Sequence, residues 1–176
     1  MSAEASRILG IDPGSRITGY GIIDVHKGGN GYVASGCIRT AVTDMPRRLL
    51  LIHEGLETVL ARYQPDATAI EQIYVHRNAG SALKLGQARG GAILTAMLHQ
   101  QPVFEYSPSQ IKQAVVGSGR ASKEQVQHMV RHLLGLSEAP QEDAADALAV
   151  ALCHGNTEAT FARLPQIKVP SGRRWR

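Results

Sequence analysis

Residues 7–25 read Arg7-Ile8-Leu9-Gly10-Ile11-Asp12-Pro13-Gly14-Ser15-Arg16-Ile17-Thr18-Gly19-Tyr20-Gly21-Ile22-Ile23-Asp24-Val25. The first six are a short apolar run closed by a carboxylate, which predicts a buried strand over 7–12. Pro13-Gly14 breaks it. Ile17 to Val25 predicts a second strand, with glycines where another backbone can approach closely. Lys27-Gly28-Gly29-Asn30-Gly31 signals a hairpin turn, and Tyr32 to Thr40 a third strand. The chain therefore opens as a meander.

Helices and strands alternate after that. Pro46 opens a helix to about Tyr63, with Leu49, Ile52, Leu56, Val59 and Leu60 on one stripe. Gln64-Pro65-Asp66 ends it, and Ala67 to Ile73 is a strand. A long helix is expected from Ser81 to Gln100, then a short strand from Val103 to Tyr106. Three helices follow: Pro108 to Val116, Ser122 to Leu134, and Pro140 to His154. Ser122 and Gln125 form a capping box for the second. The loop Gly117-Ser118-Gly119-Arg120 before it reads as flexible and basic. The order predicts an α/β domain, a mixed sheet with helices on both faces. The expected division is a domain over 1–155 and a loose basic tail over 156–176.

Composition bounds the function. The chain has 176 residues, enough for one domain with a real core. Its 43% hydrophobic residues include no run long enough to span a membrane. Met1 to Ser6 contain no apolar segment, so no secretory leader is expected. Cys37 and Cys153 stand alone, which argues against a disulfide scaffold or thiolate zinc site and fits the cytoplasm. The net charge of +4 favours a polyanionic partner.

Four carboxylates carry the chemistry. Asp12 and Glu71 each close an apolar run, and Asp143 and Asp146 are spaced to share one helix face. Singly, each has an ordinary explanation as a turn, a solvated strand end or a helix-dipole partner. Together they are different, because buried strands deliver Asp12 and Glu71 to places where an unpaired charge needs a partner. Oxygen-only ligands suit a hard divalent ion such as Mg²⁺, and hence phosphoryl chemistry. Lys84, Arg89, Lys112, Arg120 and Lys123 are the nearest cations. Lys112 and Lys123 flank the glycine-rich loop and are the better candidates for a phosphate contact. Tyr74, followed by Val75, His76 and Arg77, suits either base stacking or a place folded onto the core edge. Gly86 and Gly90 weaken the long helix and share a face, which suits either close packing on the sheet or a helix–helix dimer contact. His128 and His132 lie at i and i+4, but lack a third ligand.

Leu9-Gly10-Ile11-Asp12-Pro13-Gly14-Ser15-Arg16, Ala69-Ile70-Glu71-Gln72, Ala82-Leu83-Lys84-Leu85-Gly86-Gln87-Ala88-Arg89-Gly90 and Gln141-Glu142-Asp143-Ala144-Ala145-Asp146-Ala147-Leu148-Ala149 closely resemble the RuvC family of Holliday-junction resolvases. The resemblance spans residues 7–154 in order. It implies a ribonuclease-H-like fold, a homodimer, and a Mg²⁺-dependent endonuclease that nicks two like strands of a four-way DNA junction. Two Mg²⁺ ions are implied per site, with Mn²⁺ as a substitute. A RuvAB-type branch-migration motor is the implied partner. The catalytic and metal-binding positions fall on Asp12, Glu71, Asp143 and Asp146, and the functional lysines on Lys112 and Lys123. The junction-contacting aromatic falls on Tyr74, where phenylalanine is commoner. Arg77, Lys84, Arg89 and Arg120 join the expected DNA contacts. Asp12-Pro13-Gly14-Ser15 also resembles the phosphate loop of actin-like ATPases, but those need a second lobe that 176 residues do not supply. A related nuclease acting on RNA would not explain the long helix, and the complete acidic set argues against a non-catalytic junction binder.

Overall fold

The computed structural model describes residues 5–42, 44–73 and 78–163, with the side chains of residues 162 and 163 excepted. Five strands form one sheet in the order β3-β2-β1-β4-β5: β1 (Ser6–Asp12), β2 (Ile17–His26), β3 (Gly29–Arg39), β4 (Ala67–Glu71) and β5 (Val103–Tyr106). The first three make the antiparallel meander. β4 and β5 run parallel to β1, each reached through a helix.

Alternation sorts the side chains onto two faces. Leu9, Ile11, Ile70 and Val103 pack under α1 (Met45–Tyr63) and α2 (Ala79–Leu98), against Ile52, Leu56, Ala88 and Ala92. Ile8, Ala69 and Tyr106 face the other way. They pack with Ile111, Val126, Val130, Leu148 and Leu152 of α3 (Pro108–Val116), α4 (Lys123–Leu133) and α5 (Glu142–Arg163). Asp12 and Glu71 continue the parity of Ile8 and Ala69, so both strands release their carboxylates on the α5 face.

α5 lies close to that face. A Cβ on Gly10 would sit 2.0 Å from the Ala147 carbonyl oxygen, and one on Gly19 would sit 2.0 Å from the Asp143 carbonyl oxygen. Gly10 pairs with Gly21, and Asp12 with Gly19, so the bare positions form one track across β1 and β2. The middle of α5 is pinned by the Tyr106 hydroxyl, 2.7 Å from Nδ1 of the fully buried His154. Phe104 stacks on that imidazole, with ring centroids 4.3 Å apart. The Nε2 of His154 lies 3.3 Å from Glu158 but is not directed at it as a hydrogen bond.

Several boundaries differ from the sequence expectation. Asp44, one residue before the helix, caps α1 by accepting from the Arg47 amide. Asn78 caps α2, which starts two residues before Ser81 and ends at Leu98. β4 stops at Glu71 rather than Ile73. α5 continues to Arg163, nine residues past His154. Gly155 does not stop it, because a side chain there would meet Val25 at 2.8 Å. The polar residues that erase the periodicity bond within reach: Asn156 donates to the Ala114 carbonyl at 3.0 Å, and Thr157 to that of Cys153 at 2.7 Å. Among the described residues no helix is long and apolar enough to cross a membrane.

Candidate active site

β1 and β4 are adjacent and parallel, with Ile11 opposite Ile70. Their next residues are Asp12 and Glu71, side by side at the sheet end. Asp143 and Asp146 occupy the first turns of α5, which the glycine track brings over the same end. Asp12 senses the other three carboxylates. Burial pushes the Asp12 carboxyl up to about 8, with Asp146, Glu71 and Asp143 adding to the effect and Lys123 opposing it. Burial also raises Glu71, reinforced by Asp146 and offset by Lys123 and Lys112. Asp146 is raised as well, because burial outweighs its bond to Lys123. Among the described residues no three His, Cys, Asp or Glu side chains already stand together as a metal cage.

Lys123 is the cation inside the cluster. It is the first residue of α4, set there by the Ser122 capping box: Ser122 Oγ accepts from the Gln125 amide, and Gln125 Oε1 from the Ser122 amide. Its Nζ lies 2.8 Å from Asp146 and 2.6 Å from Glu142. Burial pulls this ammonium down, but the bonds to Asp146 and Glu142 outweigh that and hold it above its ordinary value. Glu142 was not singled out in the sequence; its place one residue before Asp143 is a signal only once the helix start is known.

A cleft of about 270 Å³ opens beside the acids. Glu71, Asp146, Lys112 and Lys123 line it together with the apolar Pro108, Ile111, Val126, Ala149 and Val150. Asp12 and Asp143 lie outside that lining. A second capping box, Ser107 with Gln110, sets α3 and hence Lys112. The glycine-rich loop is held more firmly than its composition suggests. The Gln113 amide donates to the Gly117 carbonyl at 3.0 Å and accepts from the Gly119 amide at 3.1 Å.

The other expected contacts divide. Lys84 and Arg120 are exposed. Tyr74 and Arg77 lie outside the described residues. Arg89 does not join the solvent-facing cations: its Nε donates to the Glu71 carbonyl at 2.9 Å and its guanidinium pairs with Glu105. Gly86 and Gly90 are exposed, with nothing within 4 Å of an added Cβ, so close packing on the sheet does not explain them. His128 and His132 are exposed on α4.

Comparison with known proteins places this architecture. Residues 8–154 match the family model described as crossover junction endodeoxyribonuclease RuvC. The chain is 57% identical over 159 residues to the crossover junction endodeoxyribonuclease RuvC of Vibrio vulnificus, covering 90% of this chain and 92% of that one. It superposes on the Thermus thermophilus RuvC structure with a TM-score of 0.80 and 37% identity, over 92% of this chain and 98% of that one. A second structure, T. thermophilus RuvC in complex with Holliday junction substrate, matches with a TM-score of 0.78 and 34% identity, over 90% and 96% of the two chains. With the family model spanning both strand-end acids and the α5 pair, the chain belongs to the RuvC family of crossover junction endodeoxyribonucleases.

Proposed function

We propose that the chain is a Mg²⁺-dependent, structure-specific endonuclease that resolves four-way DNA junctions by paired symmetric nicks. The products are 5′-phosphate and 3′-hydroxyl ends, and the setting is homologous recombination and DNA repair in the cytoplasm. The observation that carries this is the convergence of Asp12, Glu71, Asp143 and Asp146 at one sheet end, in a chain of the RuvC family.

The donor set fits a hard divalent ion. All four groups offer oxygen, and a carboxyl pushed up to about 8 marks negative charge that Lys123 alone does not balance. Asp12, Glu71 and Asp146 would hold two Mg²⁺ ions with Asp143 assisting, and Mn²⁺ would substitute. Bound there, the ions supply Lewis-acid activation of a water and stabilisation of the leaving 3′ oxygen in an in-line displacement. Lys123 and Lys112 offset charge on the scissile phosphate. Lys84, Arg120 and Arg77 contact backbone phosphate, and Tyr74 stacks on a base near the crossover.

Two symmetric nicks need two acidic clusters, and a two-fold homodimer provides them. α2 offers the surface: Leu83, Leu94 and Leu98 are 67%, 60% and 64% exposed, on the same face as Gly86 and Gly90. Large apolar side chains left exposed along one helix face mark an interface. A RuvAB-type motor would load on the same junction.

The test offers a synthetic four-way junction and a matched linear duplex, each with Mg²⁺ and with EDTA. Paired nicks at symmetric positions in the junction alone, lost in EDTA, are the expected result. Equal cutting of the linear duplex, or cutting that survives EDTA, would overturn the proposal.

A further inference from the structure

Arg89 reaches the acidic cluster from behind. It leaves α2 beside the buried Ala88 and Ala92, on the sheet face opposite Asp12. Glu105 shares that face, two residues along β5 from the buried Val103 and in register with Ile70. The guanidinium pairs with Glu105, and its Nε donates to the main-chain carbonyl of Glu71 at 2.9 Å. Both side chains are largely covered, at 18% and 16% exposure. The pair lies on the other face of the sheet from Asp12, and neither residue lines the cleft.

We propose that Arg89, held by Glu105, is a positioning residue that sets the main chain at Glu71 and ties it to the helix carrying the exposed leucine face. The inference rests on the proposed role of Glu71 as a metal-holding carboxylate. Three features support it. Glu71 is the last residue of a five-residue strand; past it the Gln72 amide donates to the Tyr106 carbonyl at 2.8 Å, and the Glu71 carbonyl itself is taken by Arg89. Arg89 makes two differently directed bonds from one rigid fork, which a lysine ammonium at the end of a flexible stem does not reproduce. Finally, the same helix joins Arg89 to Leu94 and Leu98, so a contact made on its outer face is linked to the Glu71 backbone through one rigid element. Outer partners of this kind orient ligating carboxylates in metal sites generally.

The test compares wild type with Arg89→Lys, with the double variant Arg89→Met/Glu105→Gln, and with Glu71→Gln. The double variant removes both charges together and strands neither. Three quantities are read on the full chain: Ca²⁺ binding by calorimetry, junction affinity in EDTA, and the single-turnover cleavage rate at saturating junction. Both Arg89 variants are expected to bind the junction within about twofold of wild type, since phosphate contacts dominate that affinity. Ca²⁺ affinity should fall roughly 10-fold or more. The cleavage rate should fall by a similar factor, recovered in part by raising Mg²⁺. A role confined to stability would lower the melting temperature without changing cation affinity in the folded protein. Folded Arg89 variants that bind Ca²⁺ and cleave like wild type, while Glu71→Gln is inactive, would overturn the inference and leave the site reading standing. A Glu71→Gln variant that itself binds Ca²⁺ and cleaves normally would overturn the site reading instead. Loss of the fold in both Arg89 variants would assign the pair to stability and end the positioning proposal.

Discussion

Gly10 of β1 and Ala147 of α5 meet backbone to backbone. A Cβ at Gly10 would lie 2.0 Å from the Ala147 carbonyl oxygen and 2.7 Å from the Ala151 nitrogen. Neither partner is a side chain that can rotate away. The depth at which α5 sits, and therefore where Asp143 and Asp146 stand relative to Asp12, is set by this contact and its neighbour at Gly19.

Gly10→Ala should therefore damage the fold and the site together. Overpacking a well-filled core costs about 1–3 kcal/mol, and a backbone-to-backbone clash belongs at the upper end. For a domain of this size the melting temperature falls by ~2–4 °C per kcal/mol, measured by calorimetry. Gly28→Ala is the control. Nothing lies within 4 Å of an added Cβ there, so it should be neutral or stabilising by about 0.4–1 kcal/mol. Equal melting temperatures for the two variants would mean that α5 does not depend on the bare track.

The acids make a prediction about pH. Burial and its neighbours raise the Asp12 carboxyl from 3.8 to about 8. Between those values the folded protein holds a proton that the unfolded chain has released. The contribution of Asp12 to stability is therefore present below about pH 4 and is lost as pH rises toward 8. In EDTA, Asp12→Asn should be more stable than wild type at pH 8 and close to it at pH 4. The shift is shared among coupled acids, so the gain is on the order of 1–3 kcal/mol. Chemical denaturation at the two pH values measures it. Mg²⁺ should reduce the difference by binding wild type, and Asp12→Asn should no longer cleave. A pH-independent difference between the two proteins would remove Asp12 from the coupled cluster.

Much of this site was legible because apolar runs ended in carboxylates. A short apolar run and a breaker after Asp12 placed it at a strand end, and the i, i+3 spacing placed Asp143 and Asp146 on one helix face. Arg89 was harder. It lies three residues before Ala92 and seven before Ala96, on the buried stripe of α2, but a cation in a glycine-bearing helix reads first as solvent-facing. Its partner Glu105 is sixteen residues away, and only the pairing of β4 with β5 brings them together. The length of α5 was hidden for another reason. Gly155, Asn156 and Thr157 look like a helix end, yet each is consumed by a tertiary contact or a bond to the preceding turn. Local propensity loses to packing there.

The outer face of α2 separates assembly from folding. Gly90→Leu adds a side chain where the described structure has open space, so the subunit itself should keep its stability or gain up to about 1 kcal/mol from the better helix former. In a dimer packed on this face the same side chain is an obstruction. Sedimentation should give a dimer mass for wild type at micromolar concentration and a monomer for Gly90→Leu or Leu94→Glu. Both variants should lose the pairing of the two nicks. A wild-type monomer that still cuts both strands together would rule out this interface.

Lys123, Lys112 and Tyr74 are expected to fail in three different ways. Lys123 stands 2.8 Å from Asp146 and 2.6 Å from Glu142, so Lys123→Ala removes both a phosphate contact and the cation that balances those acids. Lys112 enters the cleft lining from α3 and eases the charge on Glu71 without an ion pair to an acid of the cluster. If each touches phosphate, each alanine variant should lower the slope of log affinity against log salt by about 0.9, and Lys123→Ala should slow cleavage more. Tyr74→Ala should leave that slope unchanged, because an aromatic ring releases no counterion. It should instead lose ~1–3 kcal/mol of stacking, read mainly as slower single-turnover cleavage through a misplaced phosphate. Tyr74→Phe keeps the ring face and should be nearly silent. All four variants can be measured on one junction across a salt series. An undiminished slope in Lys112→Ala would make that residue part of the cleft wall rather than a phosphate contact. Wild-type cleavage by Tyr74→Ala would remove stacking from the mechanism.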